Sequence, residues 1–414
     1  MRGRLTAGAV AVLAALALAS CGGSGNGTVT LNYYVFSEPS GSFAQAASDC
    51  SNSSGGRYRI VYALLPQDAN QQRQQLVRRL AAHDDAIDII GMDVDWTAEF
   101  ADAGWVRPWT GTEAQQVKNG VLPGPLATAT WKGNLYGAPL NSNTQLLWYR
   151  KDLVPNPPTT WSQMINDAIA LAKQGKPHYI EEQGAQYEGL TVWFNSMVNS
   201  AGGQIVNANR VLLGPPAEAA AAVMNRLATS PAADPSLSNS KEDQARLAFE
   251  NGTAAFEINY PFVWPSAQKD APKIAQVMGY TGFPQVVPGV PARSSIGGIN
   301  LGVSAYSKHP TEAFEAAACM ANPAHQKINA IKGGLPPTLA SLYDEPALAK
   351  PYPFHALIKQ QLTDYGIRPK TPAYSDVSLA IQKTLSPPSG IDPATAVSRL
   401  TSQINAALSS GALL

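Results

Sequence analysis

Charged residues are few. Lys, Arg, Asp and Glu make up 14% of the chain, and 30 basic residues balance 30 acidic ones. A net charge of zero leaves no long-range field to draw in nucleic acid, and no nucleic-acid partner is expected. Histidine is sparse as well. His83, His178, His309, His325 and His355 are scattered, no pair sits at metal-ligand spacing, and no HExxH occurs. No metal site and no cofactor are expected. A GxSxG elbow is also missing. Asp93 and Asp95 form a D-x-D, but the two carboxylates are read as facing opposite ways, so no metal or glycosyl-transfer site is expected of them. There is no internal repeat and no long charge run. Apolar runs are short too: the one at 9–19 is too brief for a permanent membrane span.

That run does have a use. Arg2 and Arg4 precede it and small residues close it, the layout of a secretory signal peptide over 1–20. The sequence Leu18-Ala19-Ser20-Cys21 resembles the lipobox of bacterial lipoproteins. The resemblance implies cleavage before Cys21 and lipid on that residue, with 21–28 as a flexible Gly/Ser/Asn tether. The expected location is the extracytoplasmic face of the cell membrane. Cys21 being taken, Cys50 and Cys319 remain. In an oxidising compartment they read as a disulfide, the alternative being two unrelated buried thiols. A bridge would require both segments to share one domain.

The mature chain is long enough for two domains, and 45% of its residues are hydrophobic. Residues 28–36 alternate as a strand, 40–51 read as a helix, and 57–65 as a second strand. A polar helix at 70–83 carries Leu76, Val77 and Leu80 on one face, and the apolar run 86–92 reads as a buried parallel strand. This β-α-β-α-β order predicts a parallel sheet flanked by helices. Further on, the pattern predicts helices over 160–174, 189–201, 217–229, 241–251 and 311–321. Strands are predicted at 254–259 and 297–304. Residues 271–290 read as a Pro/Gly-rich connection, and 345–365, 374–385 and 392–407 as helices.

Six segments, in order, resemble a known family. They are QQLVRRLAAHDDAIDIIGMDVDWTAEFADAGWVRPW at 74–109, GNLYGAPLNSNTQLLWYRKDL at 133–153 and ARLAFENGTAAFEINYPFVW at 245–264. SIGGINLGVS at 295–304, GGLPPTLASLYDE at 333–345 and RPKTPAYSDVSLAIQKTLS at 368–386 follow. Together they are similar to the extracellular solute-binding proteins of carbohydrate importers, and within that family to the mycobacterial trehalose-recycling lipoproteins. The resemblance implies an α/β, two-lobed periplasmic-binding-protein-like fold with a ligand cleft between the lobes. Lobe 1 is expected to hold 29–140 plus 294–336, and lobe 2 to hold 141–293 plus 337–414. The implied protein is a monomeric receptor, not an enzyme. It captures a disaccharide by lobe closure and delivers it to an ABC permease, whose separate ATPase subunit drives transport.

Sugars are held by aromatic faces and by side chains that take hydroxyls in pairs. The expected ligand-binding residues are Asp93, Asn143, Glu242, Tyr260, Trp264 and Arg368, with Ser40, Leu335 and the backbones of Gly298 and Gly334. Asp93 follows an apolar strand, at the end where open α/β sheets bind ligands. It competes with a capping role for which Asp95 lies nearer the helix. Tyr374 and Trp193 read as core aromatics. Two positions depart from the trehalose receptors, which have Trp at Tyr260 and an acid at Ser40. A smaller hydroxylated ring and a lost carboxylate would shift preference toward another disaccharide of the α-glucoside or maltose type. Two other readings stand beside this one. One is an amino-acid- or peptide-binding lipoprotein. The other is a glycosidase in which Asp93 and Glu242 face each other across a closed cleft.

Overall fold

A computed structural model describes residues 27–409, residue 208 apart. The expected signal peptide, Cys21 and most of the expected tether fall outside the described residues. Among the described residues, no helix is long and apolar enough to cross a membrane.

Among the described residues, nine strands build the two large sheets. In chain order they are β1 (Val29–Phe36), β2 (Tyr58–Leu65), β3 (Ile89–Asp93), β4 (Ala138–Asn143), β5 (Leu146–Arg150), β6 (Tyr179–Glu181), β7 (Ala254–Asn259), β8 (Met278–Thr281) and β9 (Gly297–Val303). The first sheet runs β2-β1-β3-β9-β4, and the second runs β8-β5-β7-β6. In the first, β1 pairs in parallel with β2 and β3, as the β-α-β pattern predicts. The late strand β9 inserts antiparallel between β3 and β4, which makes the sheet mixed. This is the two-lobed α/β class expected from the sequence.

Local sequence explains these elements. In β1, Leu31, Tyr33 and Val35 are fully buried and alternate with more exposed residues, the period of a half-covered strand. In β3, Ile89, Ile90, Gly91 and Met92 are all buried, as a strand covered on both faces requires. The helix Ala69–Ala81 starts where the Asp68 carboxylate accepts from Gln71 N at 3.2 Å, and it buries Leu76 and Leu80. Thr160 opens the helix Trp161–Lys173 in the same way, accepting from Gln163 N at 3.1 Å.

Cys50, on the helix Ser42–Ser53, is bonded to Cys319, on the helix Pro310–Met320. Both helices pack on the core of the first sheet.

Two expected elements differ. The connection at 271–290 contains the helix Pro272–Val277 and the edge strand β8. The sequence MGYT has no clear alternation; it is a strand because β5 lies beside it, pairing Tyr280 with Trp148. The single helix at 345–365 is instead two, Pro346–Ala349 and His355–Thr363. Pro351 and Pro353 lie in the gap, and proline cannot donate the helical hydrogen bond.

The second sheet holds an acidic pair. Glu181 of β6 stands in register with Glu257 of β7, and the two are 1% and 0% exposed. Burial pushes the Glu181 carboxyl up to about 9, with Asp234 and Glu257 adding. Burial likewise pushes Glu257 up to about 8, against a hydrogen bond from Asn259. The native state therefore holds protons that the unfolded chain releases near pH about 4.3. The stability this confers is full below that value and is lost as pH rises toward about 8 and about 9. Glu257→Gln should flatten the decline in unfolding free energy over this window, measured by urea titration. An unchanged slope would show that Glu257 is ionised in the folded protein.

Candidate functional site

The ends of the two sheets meet around one buried cation. Arg368 lies in the segment before the helix Tyr374–Leu385, its side chain 5% exposed. Its Nη2 donates to Asp93 Oδ1 at 2.7 Å, at the C-terminal end of β3. Its Nη1 donates to Glu188 Oε1 at 2.8 Å and lies 3.5 Å from Asp95 Oδ2. Glu188 begins the helix Glu188–Ser200, in which every residue is buried. Tyr374 and Ser378 also donate to the Glu188 carboxylate. One guanidinium thus joins β3 of the first sheet to two helices of the other half.

Three carboxylates around one cation cannot all be ionised at low cost. Burial pulls Asp93 up, but Arg368 and hydrogen bonds outweigh it and hold Asp93 below its usual range. Burial pushes Asp95 far up against the pull of Arg368, and the charges of Asp93 and Glu188 add to the rise. Glu188 is raised mainly by burial, which Arg368, Ser378 and Tyr374 only partly offset. Arg368 would lose basicity through burial, but its acidic neighbours hold it firmly protonated. The reading of Asp93 and Asp95 as facing opposite ways fails here: β3 ends at Asp93, Asp95 lies in the turn that Trp96 N closes onto Asp93 O at 3.0 Å, and both carboxylates meet Arg368. Asp95 is also no cap: the helix Thr97–Asp102 has Trp96 at its N-cap and no side-chain cap bond.

A second group adjoins the first through Tyr260, which follows β7. Burial raises its hydroxyl, Glu242 adds, Arg368 opposes, and Asp93 and Glu182 add further. Glu242 opens the helix Glu242–Glu250; burial raises it, against backbone hydrogen bonding and the Tyr187 phenol. Of the expected ligand residues, Asp93, Arg368, Tyr260 and Glu242 therefore share one electrostatic neighbourhood.

The others have different surroundings. Asn143 ends β4 opposite Gly297, with a buried Oδ1 that has no partner among the described residues. Gly298 has φ +127°, and a Cβ there would lie 2.3 Å from Asn141 O, so only glycine fits. Gly334 is the left-handed cap of the helix Pro323–Gly333, and its Cα side meets Phe262 and Pro261 backbone. Leu335 packs against the core of the first sheet. Ser40 donates to Glu38 Oε2 at 2.7 Å, and Glu38 also accepts from the Ser40 and Ser42 amides. Trp264 is turned into an aromatic cluster, with Trp148 and Tyr280 each 6.3 Å and Phe354 6.0 Å between ring centroids. Apolar neighbours on three sides claim that ring.

Sequence reasoning missed Asp95, Glu188, Glu182 and Tyr187 as members of this region. One signal was present: Glu188 is the only charged residue in the stretch EGLTVWFNSMVNS, which points to an enclosed helix, and a glutamate at the start of such a helix needs a buried cation. Tyr374, read as core, is indeed 3% exposed, yet its hydroxyl bonds Glu188.

Comparison with known proteins identifies the family and the fold. Residues 60–327 match the family model described as bacterial extracellular solute-binding protein. A probable ABC transporter-binding protein of Deinococcus radiodurans is 27% identical over 328 residues, covering 74% of this chain and 75% of that one. Maltose-bound MalE3 of T. maritima superposes with a TM-score of 0.84 at 24% identity, over 91% of this chain and 99% of that one. The GacH receptor of Streptomyces glaucescens, solved unliganded and with acarbose, gives 0.80 at 21% identity, over 92% and 99%. At these identities the structures show a shared fold.

Arg368→Met would leave the carboxylates without their cation. We expect it to cost roughly 3–5 kcal/mol at neutral pH, and less at acid pH, where the carboxyls take up protons. Asp95→Asn should cost far less than Asp93→Asn, since burial favours the proton on Asp95 while Arg368 favours the charge on Asp93. Urea unfolding of the three variants tests this; equal losses for the two aspartates would show Asp95 to be ionised.

Proposed function

This chain belongs to the bacterial extracellular solute-binding protein family, and we propose that it is the sugar receptor of an ABC importer, a monomeric lipoprotein that works without a cofactor. The observation that carries the sugar reading is the set of buried, unpartnered polar atoms near the junction of the two sheets. They are Asp95 Oδ1, Asn143 Oδ1, Glu182 Oε2 and Arg368 Nε. Buried polar atoms left without partners are costly, and a ligand rich in hydroxyls can supply both donors and acceptors. The ring of Tyr260 offers an aromatic surface beside them. An amino acid would need one cation free for its carboxylate, yet Arg368 is occupied by three acids.

On this reading a disaccharide is held between lobe 1 (29–140 plus 294–336) and lobe 2 (141–293 plus 337–414). Asp93, Arg368, Asn143, Glu242 and Tyr260 take its hydroxyls, with Ser40, Leu335 and the Gly298 and Gly334 backbones at the margin. Trp264 supports the wall from behind. Closure is favoured because both lobes touch the sugar only when shut, and the closed form is what the permease receives. Trehalose is the first candidate, and the maltose- and acarbose-bound relatives by fold keep other α-glucosides close behind. Lipid on Cys21 would hold the protein at the outer face of the membrane. Nothing here calls for hydrolysis, so Asp93 and Glu242 are assigned to binding.

A thermal-shift series with trehalose, maltose, sucrose, cellobiose, glucose, maltodextrins and amino acids tests this, because a ligand of the native state raises Tm by mass action. We expect a rise with a disaccharide, and its loss in Asp93→Ala. A rise with amino acids alone, or slow release of glucose from the sugar, would refute the receptor reading.

A further inference from the structure

The disulfide has a third partner. His325 is 7% exposed, at the start of the helix Pro323–Gly333, and its Nδ1 lies 3.8 Å from Cys50 Sγ and 2.9 Å from Cys319 O. Its Nε2 faces Asp49 Oδ2 at 3.7 Å. The sulfurs and the imidazole nitrogen all lie within 4.8 Å of one another, the only such ligand group among the described residues. We infer that, once the disulfide is reduced, Cys50, Cys319 and His325 form a Cys2His site for a thiophilic divalent cation of the zinc class.

The geometry supports this in three ways. Tetrahedral zinc, with Zn–S about 2.3 Å and Zn–N about 2.1 Å, separates nitrogen from sulfur by about 3.6 Å. The Nδ1–Sγ distance already stands at 3.8 Å. Metal-bound imidazoles commonly turn their second N–H to a carboxylate, which fixes the tautomer; Asp49 occupies that position here. Access exists as well, since Cys319 is only partly buried and the Asp49 side chain is 45% exposed. A fourth position is left for water.

The steps balance with a dithiol as reductant. It passes two electrons and two protons to the Cys50–Cys319 bond and becomes a disulfide, leaving two thiols on the protein. Binding of the cation then releases those two protons to solvent, because cysteine ligates as thiolate. The His325 proton now near the Cys319 carbonyl moves to the Nε2 side, facing Asp49, and Nδ1 turns its lone pair to the metal. The cation would then join the helices Ser42–Ser53 and Pro310–Met320, which the disulfide joins in the oxidised protein.

The test uses the full chain in detergent, reduced anaerobically with a phosphine, exchanged into buffer and titrated with Co2+. We expect thiolate-to-cobalt charge-transfer and tetrahedral d–d absorption that saturates at a single equivalent and is bleached by Zn2+. The oxidised protein should give none. Asp49→Asn, at a partly exposed position, should keep the fold and weaken Co2+ binding by roughly 10–100-fold. His325→Ala should shift the absorption by removing the nitrogen ligand. Absence of the bands in protein whose thiols titrate as free would overturn the site. So would bands that neither His325→Ala nor Asp49→Asn changes, or bands equal in oxidised protein. Circular dichroism of each variant separates loss of the site from loss of the fold.

Discussion

The guanidinium of Arg368 is the point on which the two halves converge. It is buried, it donates to Asp93 at the end of β3, and it donates to Glu188 at the start of a helix with no exposed residue. Neither acid could be buried there alone, since an isolated ionised carboxylate in the interior is far too costly. Arg368 in turn could not be buried without them. Each partner makes the others tolerable, and the arrangement exists only when β3 and the helices Glu188–Ser200 and Tyr374–Leu385 are brought together. Replacing such a set by apolar residues is often neutral or stabilising in other proteins, so stability alone does not explain its presence. Its value here lies in orientation: it fixes where polar groups face.

Smaller contacts follow the same line. Lys241 reaches Asp68 at 2.7 Å, and Asn70 lies 3.5 Å from Gln382, so the helix Ala69–Ala81 is tied across to the other half at its first turn. Gly334, where a Cβ would lie 2.8 Å from Phe262 Cα, lets two backbones approach as no other residue would.

Much of this was legible in the sequence, for identifiable reasons. The alternation of Leu31, Tyr33 and Val35 and the run Ile89–Met92 are local signals, and they gave both strand type and order. Asp93 could be placed because a carboxylate directly after a buried parallel strand has few places to go. The pairing of Cys50 with Cys319 followed from their being the last two cysteines. What stayed hidden depends on contacts between distant segments. β8 is a strand only because β5 pairs with it. Trp264 packs against Trp148, Tyr280 and Phe354, and nothing in its sequence neighbourhood announces those partners. Asp95 looked like a cap because capping is local, whereas its partner is 273 residues on in the chain, at Arg368.

The proton inventory bears on what can be bound. Asp95, Glu188, Glu181, Glu182, Glu242 and Glu257 are all raised by burial. A carboxylic acid that keeps its proton both donates and accepts, as a sugar hydroxyl does. Arg368 is already shared by three acids, Lys241 is paired with Asp68 and Arg246 with Glu250. A phosphorylated sugar or a free carboxylate would arrive with charge and find acids rather than an open cation. A ligand without charge disturbs none of these balances: it can exchange its water for protein groups one hydroxyl at a time. On the receptor reading proposed above, these buried carboxyls would disfavour an anionic ligand and favour a neutral, hydroxyl-rich one.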